Sequence, residues 1–200
     1  VDKSITNPSN FIQSNIIGTF NLLEASRNHY ESLNSNRRTN FRFHHISTDE
    51  VFGSIDNNDK FHEKSRYDPR SPYSASKASS DHLVRSWFHT YGLPILITNC
   101  SNNYGPGQFE EKLIPTIITK IKNNQTIPVY GDGQNIRDWL FIDDHIEAII
   151  KVLNHGNVGD TFCIGGFGEM TNLKVVHKIC DLLDKKLKRE NSSRELITWV

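Results

Sequence analysis

The chain has 200 residues, 36% apolar and 23% charged, enough for a packed core in one domain or one and a half. Twenty-three basic residues balance 23 acidic ones, and no run of Lys or Arg makes the basic stripe that nucleic-acid binding by backbone electrostatics requires. No stretch approaches the roughly 20 apolar residues of a membrane span and no signal-peptide pattern is seen. Cys100, Cys163 and Cys180 lack both Cys-x-x-Cys and zinc spacing, and read as reduced thiols of a cytoplasmic protein.

Residues 8–30 read as a helix. Pro8 suits its first turn, and Ile12, Ile16, Phe20 and Leu23 recur as a buried stripe. A polar loop, 34–40, leads to a strand at 41–47. Residues 53–71 carry turn chemistry throughout and read as a surface loop. A helix is expected from about Ser71 to Tyr91, closed by Gly92. A strand at 93–100, a loop at 101–108 and a helix at 112–123 follow. Residues 127–130 and 138–142 are extended, on either side of a Gly-Asp-Gly turn. Asp143 or Asp144 caps a helix over 145–154 that Gly156 ends. A strand at 160–164 precedes a helix over 172–187, capped by Thr171. The charged run 185–191 covers the solvated end of that helix. Strands alternating with helices predict a parallel α/β architecture. The chain opens "VDKSITNPSNF" without an initiator Met and ends on the strand-like "ELITWV", and so reads as a fragment of something longer.

Tyr73 and Lys77 are four residues apart at a helix start and share one face. A surface Tyr packed on a Lys stem fits that spacing. So does a Tyr general base whose pKa a neighbouring ammonium lowers. Context favours the second reading. The helix follows, by one loop, a strand that runs straight into Thr48, Asp49 and Glu50, and ligands of open α/β sheets bind at the carboxyl ends of strands. A solvated turn with Asp as a cap is the plain alternative for the acid pair. His44 and His45 are strand neighbours and point to opposite faces, so they cannot share a metal. No metal site is expected. The segment "IGGFGE" (164–169) lacks the full dinucleotide glycine pattern.

The segments "HHISTDEVFG", "SPYSASKASSDHLVRSW", "TNCSNNYGP", "EKLIP" and "IRDWLFIDDH" occur in order across nearly the whole chain. Together they resemble the dTDP-glucose 4,6-dehydratases, a family of extended short-chain dehydrogenase/reductases. The Tyr-x-x-x-Lys pair marks only the superfamily; the Thr-Asp-Glu triplet marks the dehydratases. The resemblance implies a Rossmann-like doubly wound parallel sheet with part of a smaller substrate-binding domain. Residues 1–104 would be the remainder of the NAD-binding domain. Residues 105–200 would mix Rossmann elements with an incomplete sugar-nucleotide-binding domain.

It also implies roles. Tyr73 would remove the proton of the sugar 4-hydroxyl as hydride leaves carbon 4 for NAD. Glu50 would take the carbon-5 proton, Asp49 would protonate the departing 6-hydroxyl, and the hydride would return to carbon 6. Two neighbouring carboxyls resist ionising together, which suits one acid and one base. In an ideal strand they would face opposite ways, so the backbone must turn at Thr48–Glu50. Lys77 would also hold the nicotinamide ribose, and Asn103 and Ser14 would contact the cofactor. Thr48, Asn102, Lys112, Leu113, Pro128, Val129, Tyr130 and Asn172 would line the sugar-nucleotide site, with Arg137 on the diphosphate or nucleotide. The family pairs helices 8–30 and 73–91 with their copies in a homodimer. Here Phe11, Leu22, Trp87 and Phe88 would supply the second apolar face, and Ser80 would point outward.

The resemblance further implies that a first β-α-β half with its glycine fingerprint, and the last substrate-binding segment, belong outside these residues. Loop 53–71 is shorter than the family's, and Cys163 and Phe167 stand where Asn and His are common. A sugar-nucleotide epimerase or decarboxylase of the same superfamily, and an inactive binding module, are the competing readings. The Asp49–Glu50 pair argues against the first two, and the acid pair together with an intact Tyr73-x-x-x-Lys77 argues against the third.

Overall fold

The computed structural model describes residues 2–55 and 59–200; residues 56–58 of the expected surface loop lie outside them. In chain order the elements are α1 (Asp2–Thr6), α2 (Pro8–Phe11), a π-helical segment (Ile12–Ile17), α3 (Gly18–Ser32), α4 (Ser35–Asn40), β1 (Phe43–Thr48), a 3-10 turn (Asp49–Phe52), α5 (Pro72–Tyr91), β2 (Ile95–Cys100) and β3 (Asn102–Tyr104). Then come α6 (Leu113–Lys122), β4 (Ile127–Val129), β5 (Ile136–Phe141), α7 (Ile142–His155), β6 (Thr161–Ile164), β7 (Glu169–Thr171), α8 (Asn172–Leu187), a 3-10 turn (Ser193–Leu196) and β8 (Ile197–Trp199). The chain forms two units. The first is Val1–Ser101 with His145–Ile164; the second is Asn102–Asp144 with Gly165–Val200.

The first unit is a Rossmann-like α/β layer. Its parallel sheet has the order β1-β2-β6, with Phe43 opposite Ile95 and Ile97 opposite Thr161. Every residue of the central strand β2 is buried, as a strand paired on both edges and covered on its faces must be. Leu23 from α3 and Val84 from α5 pack with Leu93, Ile95 and Ile97 into one cluster. The sequence makes α5 a sharply bounded helix. The Ser74 N–H donates to Ser71 Oγ at 3.0 Å, the Ser71 N–H donates to Ser74 Oγ at 2.9 Å, and Pro72 occupies the first turn. Gly92, in the left-handed region with φ +68°, ends it.

Five expectations need correcting here. Of the buried stripe expected over 8–30 only Leu23 is fully buried, while Ile12 and Phe20 are exposed. The helix expected over 8–30 is interrupted by the π-helical turn, where Asn15 reaches across to α5. Its Nδ2 donates to Ser76 Oγ at 2.8 Å, and its carbonyl accepts from Ser80 Oγ at 2.6 Å. Ser80 is therefore fully buried rather than outward-facing. The polar loop 34–40 contains α4, because the Asn34 side chain accepts from the Arg37 N–H at 3.1 Å and caps a helical turn. Asp143 and Asp144 do not cap α7. They lie inside its first turn, where their charge complements the helix dipole.

The second unit holds two small sheets. β3 and β5 are parallel and β7 joins β5 antiparallel, so the expected loop 101–108 begins with a strand; β4 and β8 pair in parallel. Ile117 and Ile121 of α6, Ile127 and Val129 of β4, and Val176 and Cys180 of α8 form its core. Thr171 caps α8 as expected, its Oγ1 accepting from the Lys174 N–H at 3.2 Å. The glycine loop after β6 is already filled. The Asp138 carboxylate accepts from the N–H groups of Gly166 and Gly168, both at 2.7 Å. Among the described residues no helix is long and apolar enough to cross a membrane.

Candidate active site

β1 ends in a way strand geometry alone would forbid. Thr48 is extended (φ −135°, ψ 153°), and the chain then winds into the 3-10 turn Asp49–Phe52. The Glu50 N–H donates to Thr48 Oγ1 at 3.2 Å, and the Thr48 hydroxyl donates to Asp49 Oδ1 at 3.3 Å. Val51 and Phe52 anchor the turn in the interior. Gly53 leaves it at φ +85°, so close to the next segment that a Cβ would stand 2.4 Å from the Asp68 carbonyl oxygen. The turn replaces strand alternation, so the two acids no longer face opposite sides of the sheet. Both carboxylates act electrostatically on Tyr73.

Tyr73, Lys77 and Asp81 succeed one another at four-residue spacing along α5. The Tyr73 N–H donates to Ser4 Oγ at 3.2 Å, and its ring packs edge-on against Phe11, centroids 6.0 Å apart. Lys77 Nζ donates to the Ile46 carbonyl at 2.8 Å, which fixes the ammonium against β1. Burial lowers the Lys77 pKa, opposed by the attraction of Asp81 and Cys100. The phenol of Tyr73 departs from the sequence expectation. It is pushed up to about 12, by burial first and then by the negative fields of Glu50, Cys100, Asp49 and Asp81. Helix spacing predicts an ammonium beside the phenol, but Lys77 is not among the main charges that act on it, and spacing does not reveal the carboxylates arriving from β1. Ser14 is exposed in the π-helical turn. His44 and His45 face opposite ways, as expected: one bonds Thr98 Oγ1, the other Asp81.

Asp81 and Asn99 are groups the sequence reading missed. The Asp81 side chain is fully buried. Its Oδ1 lies 3.0 Å from His45 Nε2, and its Oδ2 accepts from the Tyr67 hydroxyl at 2.8 Å and from Asn99 Nδ2 at 3.1 Å. Burial would raise its pKa, but the hydrogen bonds and charge of its neighbours prevail and the net direction is down. The available signal was an acid two turns beyond Tyr73 on the face already carrying Lys77.

In the second unit, Leu113, Pro128, Val129, Tyr130 and Asn172 come together around a cavity of about 60 Å³, with Asn135 and Val176 completing its wall. Its lining combines apolar side chains with the two amides of Asn135 and Asn172. The Asn172 N–H donates to the Asn135 carbonyl at 3.0 Å, which ties the start of α8 to the segment before β5. Lys112 stands just before α6 without lining this cavity. Asn102 and Asn103 lie in β3, opposite Trp139 and Leu140, and Arg137 is exposed on β5. These three lie outside the cavity wall.

A family model described as GDP-mannose 4,6 dehydratase matches residues 1–199. The chain belongs to that family. It is 53% identical to dTDP-glucose 4,6-dehydratase 1 of Escherichia coli strain K12, over 100% of this chain and 58% of that protein. It is 56% identical to the dTDP-glucose 4,6-dehydratase of Xanthomonas campestris pv. campestris strain B100, over 96% of this chain and 54% of that one. The crystal structure of DesIV, a dTDP-glucose 4,6-dehydratase from Streptomyces venezuelae with NAD bound, is similar at a TM-score of 0.88 and 40% identity, covering 100% of this chain and 57% of that one. The chain thus spans less than three-fifths of the length of each of these relatives.

Proposed function

We propose that this chain carries the catalytic groups of an NAD-dependent dTDP-glucose 4,6-dehydratase, a hydro-lyase that forms the 4-keto-6-deoxy sugar. The observation that carries the reading is the 3-10 turn at Asp49–Phe52, which brings two adjacent carboxylates into the field of one half-buried tyrosine. Its similarity to dTDP-glucose dehydratases supports the choice of substrate.

To take the proton of the sugar 4-hydroxyl, Tyr73 must be a phenolate; the positive charge of a bound nicotinamide would offset the burial and negative fields that otherwise hold its phenol up at about 12. With a ketone at carbon 4, the carbon-5 proton becomes acidic and Glu50 removes it. Asp49, whose carboxyl is held by the Thr48 hydroxyl, gives a proton to the departing 6-hydroxyl. Thr48 steadies both the acid and the sugar. When bound, NAD accepts the hydride of carbon 4 and returns it to carbon 6. Lys77 suits the cofactor's ribose: one of its three N–H donors is spent on Ile46, leaving donors for a diol. Ser14 and Asn103 are further cofactor contacts. The cavity of Leu113, Pro128, Val129, Tyr130 and Asn172 takes the nucleotide, and Asn102, Lys112 and Arg137 assist on the sugar and diphosphate. A lining of apolar side chains and two amides suits a flat base with polar edges.

The protein acts as a cytoplasmic homodimer through the helices before β1 and after the 53–71 loop. Exposed Ile12, Ile17, Phe20 and Leu22 support that surface. Phe88 does not contribute its whole ring, since it packs against Gly159 and the first unit's core. The test is to incubate the full-length protein with dTDP-glucose and NAD and identify the product. A 4-keto-6-deoxy sugar is expected. An epimer or a decarboxylated sugar formed without loss of water overturns the reading.

A further inference from the structure

Asn99 is an amide at the centre of a completely buried strand, where an apolar side chain would suffice for packing. Both hydrogens of its Nδ2 are used. One goes to Asp81 Oδ2 and the other to the Thr48 carbonyl, each at 3.1 Å. Asp81 is held in turn by His45 from β1 and by Tyr67 from the loop before α5. A dry carboxylate is costly to keep and is poor evidence of mere stabilisation. The bonds run from α5 through β2 to the last residue of β1, and the acid turn begins at the next residue.

We propose that Asp81 and Asn99 are positioning residues that fix the Thr48 carbonyl and thereby set the orientation of the turn bearing Asp49 and Glu50. Asp81 aims the Asn99 amide. Asn99 holds the point where extended backbone gives way to 3-10 winding. Neither touches the sugar. The inference rests on the dehydratase reading for its kinetic consequence, though its structural consequence is independent of any activity.

Asn99→Leu in the full-length protein removes both donors and leaves Asp81 with His45 and Tyr67. Amide hydrogen exchange at Glu50 is expected to quicken relative to the amides of Phe43–His45. Unchanged protection at Glu50 overturns the proposal whether or not the protein turns over substrate. In the kinetic arm, solvent exchange of the carbon-5 hydrogen should fall about 100-fold, the cost of displacing a reacting group by about 1 Å. Single-turnover NADH formation, which uses Tyr73, should stay within about threefold of wild type. Equal losses in both steps would mark a general structural role and overturn the proposal. Asp81→Asn can keep all its hydrogen bonds once His45 takes its other tautomer, so carbon-5 exchange should stay within about threefold. Asp81→Ala, which frees the amide, should repeat the faster Glu50 amide exchange and the loss of carbon-5 exchange, and carries the comparison on those two readouts if that variant does not fold; its NADH step is not compared, because the Asp81 charge also acts on Tyr73 and Lys77. Wild-type protein that forms no NADH refutes the dehydratase reading instead, and the Glu50 amide still decides the positioning claim.

Discussion

The Glu50 N–H donates to Thr48 Oγ1 at 3.2 Å, and this bond turns the end of a strand into an acid-bearing turn. Thr48→Val keeps the branched shape and the strand preference but loses the oxygen. Loss of a comparable helix cap costs about 1 kcal/mol. Thr48→Val should therefore lower the denaturation midpoint modestly and turnover more severely. Full turnover with a lowered midpoint would show that the turn holds without its cap.

Asp49 and Glu50 should separate cleanly by isotope. Glu50→Gln in the full-length protein is expected to stop exchange of the carbon-5 hydrogen with deuterated solvent. Asp49→Asn should slow water loss yet leave that exchange visible. Wild-type exchange in Glu50→Gln would place the base elsewhere.

The Tyr73 phenol gives a test in pH. Partial burial and the negative carboxylates nearby both disfavour ionisation, so its pKa rises to about 12. Removing the Glu50 charge removes one source of repulsion, so in Glu50→Gln the phenol should ionise at lower pH than in wild type. Tyrosine absorbance, differenced against Tyr73→Phe, reports the shift. A rise in Glu50→Gln would contradict the sign of the field. Tyr73→Phe should also abolish transient NADH.

Gly53→Ala asks a backbone at φ +85° to carry a Cβ 2.4 Å from the Asp68 carbonyl oxygen. Something must move, and the expected loss exceeds about 1 kcal/mol. Thermal unfolding of the variant against wild type measures it. No change in melting temperature would mean that the segment at Asp68 yields freely.

Leu22 is 62% exposed on α3. Leu22→Arg should shift the full-length protein from dimer to monomer mass at low micromolar concentration. A dimer of unchanged stability would move the interface off this helix.

Much of the architecture was legible because the chain punctuates it. Ser71-Pro72 and Gly92 bound α5, Thr171 opens α8, and the uninterrupted apolar run at 95–97 could only be a buried strand. The acid turn was implied only through the family resemblance, which gives both carboxylates work on one sugar; the strand pattern by itself put them on opposite faces. Local composition misled at 34–40, where a polar run proved helical because Asn34 caps it. Asp81 stayed hidden because its partners, His45, Tyr67 and Asn99, come from separate parts of the chain. The direction of the Tyr73 shift was missed for a related reason. Spacing reveals a neighbour on the same helix, whereas burial is a property of the whole fold.

The interleaving of the two units has a consequence during synthesis. β6 completes the first unit's sheet but is made only after the whole stretch from Asn102 to Asp144, which belongs to the second. At about 5–20 residues per second, the ribosome needs several seconds to pass from β2 to β6. Until then β2 presents an unpaired edge of Ile, Leu and Thr, the kind of surface that recruits other chains. The growing polypeptide must bridge that interval by folding the intervening residues first or by borrowing protection. Variants that slow folding of α6 and β4 should therefore lower soluble yield even when they leave the finished protein's stability unchanged.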